Sequence, residues 1–123
     1  MRKILIVDDE TDYLNIAAQI LKNAGFKVMT AENGKDGLDI VAKENPDLLI
    51  LDIGLPDITG IDLKKQLNKN SSTSNIPVIF FTVCSEIDCL RDALNQDNCK
   101  YLIKPFNPDD LLEKVNSFFS PLA

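Results

Sequence analysis

The chain has 123 residues and a mass of 13.7 kDa, enough for one compact domain and too little for a large enzyme barrel. Hydrophobic residues make up 45% and charged residues 26%, which is typical of a folded globular protein and excludes a disordered or collagen-like chain. Nineteen acidic against thirteen basic residues give a formal charge of −6, which disfavours direct nucleic-acid binding and favours a bound cation.

Five short apolar segments recur along the chain and predict the strands of a sheet. They lie at residues 4–7, 28–31, 48–53, 78–83 and 101–103, and the second of them is the weakest. Their hydrophobicity is continuous rather than alternating, which is typical of strands that are buried on both faces. The sequence therefore predicts a parallel sheet.

The segments between these strands show the spacing of amphipathic helices. The residues that share a helical face are Leu14, Ala17, Ala18 and Leu21, then Leu38, Val41 and Ala42, then Ile87, Leu90 and Leu94, and finally Leu111, Val115 and Phe118. We expect the first helix to end at Gly25 and the second to end before Pro46. We expect the last helix to begin with Asn107 as its N-cap and Pro108 at its first position.

The order of these elements is a strand followed by a helix, repeated five times. Right-handed crossovers place helices on both faces of such a sheet, so we predict a three-layer, doubly wound α/β fold. We expect residues 1–123 to form a single domain. Ligands of these folds bind outside the carboxyl ends of the strands, which is where we look for chemistry.

Polar side chains stand at the carboxyl ends of four predicted strands. They are Asp8, Asp9 and Glu10 after the first strand, Asp52 in the third, Thr82 in the fourth and Lys104 after the fifth. Clustered carboxylates repel one another, and without histidine or a CxxC pair they favour a hard cation such as Mg²⁺.

A metal ion beside a carboxylate, a hydroxyl and an ammonium group indicates phosphoryl transfer, in which one carboxylate is the nucleophile. Lys104, Thr82 and the ion would each contact one phosphoryl oxygen. Spacing alone leaves open which carboxylate attacks. We favour Asp52 because it stands alone, whereas Asp8 and Asp9 are adjacent and suited to holding the ion directly or through water.

These residues resemble the receiver domains of two-component response regulators. Four segments carry the resemblance, and it extends over essentially the whole chain. The segments are Asp8-Asp9-Glu10, Leu51-Asp52-Ile53 with Pro56 and Gly60 downstream, Phe81-Thr82 and residues 101–106. The resemblance implies a flavodoxin-like (βα)5 fold with strand order 2-1-3-4-5. It also implies a signalling domain that catalyses only its own phosphorylation and dephosphorylation and is not otherwise an enzyme.

By this resemblance, a histidine kinase or a histidine phosphotransfer protein donates a phosphoryl group from phosphohistidine to Asp52. The resemblance implies that Mg²⁺ is held by Asp8, Asp9, Asp52 and the backbone carbonyl of Gly54. The lysine that follows the fifth strand, Lys104, is implied to assist the transfer, and its peptide bond to Pro105 is implied to be cis.

Thr82 and Tyr101 are the switch pair that the resemblance implies. Thr82 would move toward the phosphoryl group and the ring of Tyr101 would turn inward. This movement would alter the face formed by the fourth helix, the fifth strand and the fifth helix, through which a downstream protein would be bound.

Several positions depart from the family pattern. Val83 replaces a small residue after the switch threonine and would narrow access to the phosphoryl group, and residues 97–98 are Asp-Asn in place of the usual Gly-Ala. Gly54 and Cys84 are poorly suited to orient an attacking water. We therefore expect a long-lived phosphorylated state.

Three other interpretations share the fold or the chemistry. A flavodoxin-like FMN electron carrier is disfavoured because residues 8–12 are rich in carboxylates, where a flavin phosphate needs a neutral loop. A haloacid-dehalogenase-like phosphatase would need Asp-x-Asp-x-Thr after the first strand, which is absent. The chain could also be a receiver excised from a hybrid kinase or a larger regulator.

The cysteines and the N-terminus bear on the cellular compartment. Cys84, Cys89 and Cys99 form no CxxC pair, and we expect buried free thiols in a reducing environment. The chain has no apolar run near the roughly 20 residues of a membrane span, and its apolar start is too short for a signal peptide. We expect a cytoplasmic protein without membrane insertion.

Overall fold

The structure is a computed structural model that describes residues 2–83 and 98–119. Within these ranges the chain forms five strands and four helices. The strands are β1 (Lys3–Val7), β2 (Lys27–Ala31), β3 (Leu48–Asp52), β4 (Val78–Thr82) and β5 (Cys99–Ile103). The helices are α1 (Thr11–Asn23), α2 (Gly34–Glu44), α3 (Gly60–Asn68) and a C-terminal helix (Pro108–Phe119).

The five strands form one parallel sheet in the order β2-β1-β3-β4-β5, which confirms the predicted topology. All residues of β3 and β4 are buried, whereas β2 lies at an edge and is partly exposed. An edge strand needs fewer apolar side chains, which explains why the second apolar segment is the weakest. β3 ends at Asp52 and β4 ends at Thr82, the residues at which the third and fourth strands were predicted to end, although the apolar segments run one residue further.

Helices cover both faces of the sheet, as predicted. One core lies between the sheet and α2 and α3, and the other lies between the sheet, α1 and the C-terminal helix. The buried residues of α1 are the four that the helical spacing predicted, Leu14, Ala17, Ala18 and Leu21. The helices therefore hold the sheet rigidly from two sides and leave its carboxyl edge to the loops.

The predicted face of α2 was partly wrong. Val41 is buried, but Leu38 is only half-buried and Ala42 is exposed. Instead α2 lies against β1 through Gly37, where an added Cβ atom would come within 2.9 Å of Val7. The side of α2 that packs against the sheet is therefore the side that carries glycine, which a search for apolar residues does not detect.

The ends of the helices follow the predicted signals. Gly25 has a φ of 97° just beyond α1, a left-handed conformation that glycine adopts without strain. The side chain of Asn107 accepts a hydrogen bond from the backbone N–H of Asp110 at 2.8 Å, as expected of an N-cap.

The peptide bond between Lys104 and Pro105, after β5, is cis, as the family resemblance implied.

Some predictions fall on residues that the structure does not describe. The helix predicted around Ile87, Leu90 and Leu94 lies outside the described residues, as do Cys84, Cys89 and Asp97. Cys99 is buried, in agreement with the prediction, and burial raises the pKa of its thiol. Within residues 2–83 and 98–119, no helix combines the length and hydrophobicity needed to cross a membrane.

Candidate functional site

The parallel register brings the predicted polar residues to one edge of the sheet. Val7, the last residue of β1, pairs with Leu51 of β3. The next residue in each chain segment is an aspartate, so Asp8 and Asp52 lie side by side on neighbouring strands. In the same way Thr82 pairs with Ile103, which precedes Lys104. The strand ends therefore bring two carboxylates, a hydroxyl and an ammonium group to one edge of the sheet, as predicted.

Lys104 connects the acidic residues of this edge. Its Nζ atom lies 2.8 Å from Oε1 of Glu10, 3.0 Å from Oδ2 of Asp8 and 3.6 Å from Oδ1 of Asp52. The side chain is only 4% exposed. Burial opposes the charge of this ammonium group, but its hydrogen bond to Glu10, its ion pair with Asp8 and the charge of Asp52 outweigh burial and raise its pKa above the ordinary value.

Asp8 is fully buried and incompletely satisfied. One carboxylate oxygen, Oδ1, accepts a hydrogen bond from the backbone N–H of Glu10 at 2.9 Å. The other, Oδ2, pairs with Lys104 by charge, yet no donor in the described part of the chain meets it in hydrogen-bond geometry. A buried anionic oxygen with spare acceptor capacity is suited to a cation.

Carboxylate oxygens of Asp8, Glu10 and Asp52 lie within 4.8 Å of one another. Such a set of oxygen donors, with no nitrogen or sulfur among them, matches the preference of Mg²⁺. Of the two adjacent aspartates, Asp8 is in this group, while Asp9 is exposed and hydrogen-bonds through its side chain to the carboxyl group of Asp52. The residues present therefore fit the predicted cation.

Glu10 has a larger part in the site than the sequence suggested. It belongs to the predicted acidic cluster, but it was not among the expected cation ligands. In the structure it makes the shortest contact of Lys104 to a carboxylate. The position of Glu10 directly after two aspartates was the sequence feature that pointed to a role in the site. Its position in the sequence does not show that its exposed side chain contacts Lys104.

The environment of Asp52 raises its pKa to about 7. Burial is the largest cause, and the charge of Asp8 and the hydrogen bond with Asp9 add to it. Lys104 and the backbone N–H of Gly54, which lies 3.4 Å from Oδ1, act in the opposite direction. Removal of the excess negative charge by a cation would favour the ionised form of Asp52.

Thr82 and Tyr101 lie on neighbouring strands and on the same face of the sheet. Thr82 is buried at the end of β4, and its hydroxyl group donates to the carbonyl of Val83 at 2.9 Å. Tyr101 is half-buried, and the ammonium group of Lys114 lies 5.9 Å from the centre of its ring. The two predicted switch residues are thus near each other in the sheet, with only Thr82 at its carboxyl edge.

Val83 lies at the mouth of the site and is 44% exposed. It lines a cavity together with Asp9, Glu10, Asp52, Gly54 and Lys104. The exposed valine therefore lies beside the acidic residues, at a position where its side chain would narrow access to a phosphoryl group on Asp52.

Comparison with known proteins agrees with this geometry. Residues 4–116 match the family described as response regulator receiver domain. Protein PilH of Pseudomonas aeruginosa is 35% identical over 95% of this chain and 97% of its own. The phosphate regulon transcriptional regulatory protein PhoB of the same organism is 34% identical over 94% of this chain but only 51% of its own. The structure of the chemotaxis response regulator CheY4 of Vibrio cholerae superposes with a TM-score of 0.88, at 28% identity, over 96% of this chain and 98% of its own.

The raised pKa of Asp52 predicts how stability depends on pH in the absence of metal. Between the ordinary value of 3.8 and about 7, the folded state binds a proton that the unfolded chain releases. The free energy of unfolding of the wild type should therefore fall as the pH rises through this range. Asp52→Asn should remove this fall and be more stable than the wild type near pH 8 by about 1–2 kcal/mol.

Urea denaturation in EDTA at several pH values measures this effect. Asp39→Asn serves as the control, because it removes one negative charge from an exposed position on α2. We expect this control to follow the wild type. An identical pH dependence in the wild type and Asp52→Asn would show that Asp52 does not titrate in this range.

Proposed function

Because the chain belongs to the response regulator receiver family of two-component signalling, we propose that it is a phosphorylation-controlled switch whose phosphoacceptor is Asp52. Receivers are signalling phosphoacceptor domains rather than classical enzymes. The observation that carries the proposal is the contact of Lys104 with Asp8, Glu10 and Asp52 at the carboxyl edge of the sheet. We take residues 1–123 as one receiver domain.

Asp8 and Asp52 would hold Mg²⁺, with the backbone carbonyl of Gly54, while Asp9 and Glu10 would contribute directly or through water. The ion would neutralise charge on a transferring phosphoryl oxygen. Asp9, Glu10, Asp52 and Gly54 line the same small cavity, and a carboxylate oxygen of Asp8 lies within 4.8 Å of those of Glu10 and Asp52. Asp8 supports this assignment most strongly, because it is fully buried and its Oδ2 atom has acceptor capacity to spare.

The transfer itself needs little covalent chemistry from the protein. A carboxylate oxygen of Asp52 attacks phosphorus, the new O–P bond forms, and the N–P bond of a donor phosphohistidine breaks, so that the electron pair leaves with the imidazole. Lys104 compensates the charge of one phosphoryl oxygen. The hydroxyl group of Thr82 gives up its hydrogen bond to the carbonyl of Val83 and donates to a second phosphoryl oxygen instead.

We propose that the donor is a histidine kinase or a histidine phosphotransfer protein, and that the chain acts in the cytoplasm on a downstream protein. The output face comprises β5, the C-terminal helix and the predicted helix around residues 87–94, which lies outside the described residues. On the described part of this face, Tyr101, Asp110 and Lys114 line a groove between β5 and the C-terminal helix. Inward rotation of Tyr101 would reshape that groove.

The same switch chemistry applies to a receiver of one domain and to a receiver within a hybrid kinase or a larger regulator. PilH and PhoB, which differ in how much of their length this chain covers, illustrate the two arrangements. An FMN electron carrier is the weaker alternative, because the three clustered carboxylates would repel a flavin phosphate.

Phosphorylation of the purified protein tests the proposed function. After incubation with acetyl phosphate and Mg²⁺, intact mass spectrometry should show the wild type gaining one phosphoryl group. Asp52→Asn should gain none, because an amide oxygen is a poor nucleophile. Asp39→Asn should behave as the wild type, and EDTA should prevent the gain. Equal gain by Asp52→Asn, or none by the wild type, would refute the assignment.

The lifetime of the phosphorylated state is a further prediction. Gly54 has no side chain, and a Cβ atom placed there would meet no atom within 4 Å in the described part of the chain, so this position offers no group to orient a water. Cys84, the other position on which this expectation rests, lies outside the described residues. We expect slow loss of the phosphoryl group in Mg²⁺ buffer, followed by intact mass, and faster loss from Gly54→Gln, whose amide can position a water. Rapid loss from the wild type, at the rate of Gly54→Gln, would contradict this prediction.

A further inference from the structure

A carboxylate outside the acidic cluster joins the loop that follows Asp52 to a neighbouring helix. We call residues 53–59, between β3 and α3, the phosphoacceptor loop. In this loop the Oδ1 atom of Asp57 accepts a hydrogen bond from the backbone N–H of Gly34 at 2.8 Å, and Oδ2 accepts one from that of Lys35 at 2.9 Å. These two donors are at the beginning of α2, and they lower the pKa of Asp57.

The contact between the loop and α2 is close as well as polar. A Cβ atom added at Gly34 would lie 2.1 Å from Cγ2 of Ile58 and 3.2 Å from Oδ1 of Asp57. The first residue of α2 must therefore be small for the helix to approach the loop. Ile58 is half-buried against the core on this side of the sheet, and Leu55 is buried within it. The loop and the beginning of α2 thus pack as one unit.

The other end of the loop closes on Asp52 itself. The N–H of Gly60 donates to the carbonyl of Ile53 at 3.0 Å, and a Cβ atom at Gly60 would lie 2.5 Å from the backbone carbonyl oxygen of Asp52. Between these ends, the N–H of Gly54 faces Oδ1 of Asp52 at 3.4 Å. A displacement of the loop would therefore move Gly54 relative to the carboxylate of Asp52.

From these contacts we propose that Asp57 is a positioning residue, which clamps the phosphoacceptor loop to α2 and so keeps Gly54 and Asp52 arranged for the cation. This inference rests on the proposed function, in which these two residues contribute to the cation site. No ion pair or hydrogen bond joins Asp57 to Lys104 in the described part of the chain, so Asp57 would act only through the loop. The Asp57 carboxylate is exposed, and its structural role is to accept hydrogen bonds from two backbone N–H groups at the beginning of α2.

The chain offers a matched control for a merely structural role. Asn33 also caps α2, since its Oδ1 atom accepts from the N–H of Asp36 at 2.8 Å. Asn33 precedes the helix and does not belong to the phosphoacceptor loop. Asn33→Ala therefore weakens the same end of α2 without releasing the loop, whereas Asp57→Ala does both. Asp57→Asn keeps one acceptor oxygen and should give an intermediate result.

Two measurements by NMR on the full chain separate these roles. The first is amide hydrogen exchange at Gly60 without metal, and the second is titration with Mg²⁺ followed at the amide of Gly54. Asp57→Ala should exchange about tenfold faster at Gly60 and bind Mg²⁺ about tenfold more weakly, as expected when a supporting hydrogen-bonded group is lost. Asn33→Ala should leave both values close to those of the wild type.

Equal effects of Asn33→Ala and Asp57→Ala would overturn the proposal, because Asp57 would then act only as a helix cap. Wild-type values in Asp57→Ala would overturn it as well. If the wild type itself bound no Mg²⁺, the proposed function would fail, and the metal-free exchange at Gly60 would still decide whether Asp57 clamps the loop.

Discussion

The ion pairs of Lys104 are the interaction on which the site depends. Carboxylates of Asp8, Glu10 and Asp52 within 4.8 Å of one another repel strongly at a buried edge, and one ammonium group lies among them. When all are ionised, one positive charge among three negative charges leaves a net negative charge. Burial is the largest cause of the raised pKa of Asp52, about 7, and the charge of Asp8 adds to it although Lys104 is nearby. The net negative charge of the group creates the attraction for a divalent cation.

The rest of the fold keeps this unfavourable arrangement in place. The strands β1 and β3 are interior strands of the sheet and are buried almost throughout, so Asp8, which follows β1, and Asp52, the last residue of β3, have little freedom to separate. The close approach of Gly60 to the backbone of Asp52 adds a constraint from α3. The fold therefore holds the mutually repelling carboxylates close together, as is common where a site must respond to a change of charge.

Much of this could be predicted from sequence. Continuous apolar segments marked the strands, and the rule that parallel strands present their carboxyl ends together brought Asp8, Asp52, Thr82 and Lys104 to one edge. These features are local or follow from topology. The burial of Leu14, Ala17, Ala18 and Leu21 likewise followed from helical periodicity.

What sequence could not show are contacts between residues that are distant along the chain. Lys64 would be expected at the surface, yet it is buried on α3, its ammonium group donates to the carbonyl of Ser74 at 3.1 Å, and burial lowers its pKa. The reach of Glu10 to Lys104 and the capping of α2 by Asp57 are of the same kind. Such contacts depend on how far a side chain extends and on the distance between packed helices. Neither quantity produces a periodic pattern in the sequence.

A double-mutant cycle between Lys104→Met and Asp52→Asn tests most directly whether Lys104 compensates the charge of Asp52. The measurement is the free energy of unfolding in EDTA near pH 8, where Asp52 is largely ionised. Lys104→Met should destabilise the wild type more than it destabilises Asp52→Asn, with a coupling of about 1–3 kcal/mol. Additivity to within about 0.5 kcal/mol would show that the two groups do not interact and would contradict this account of the site.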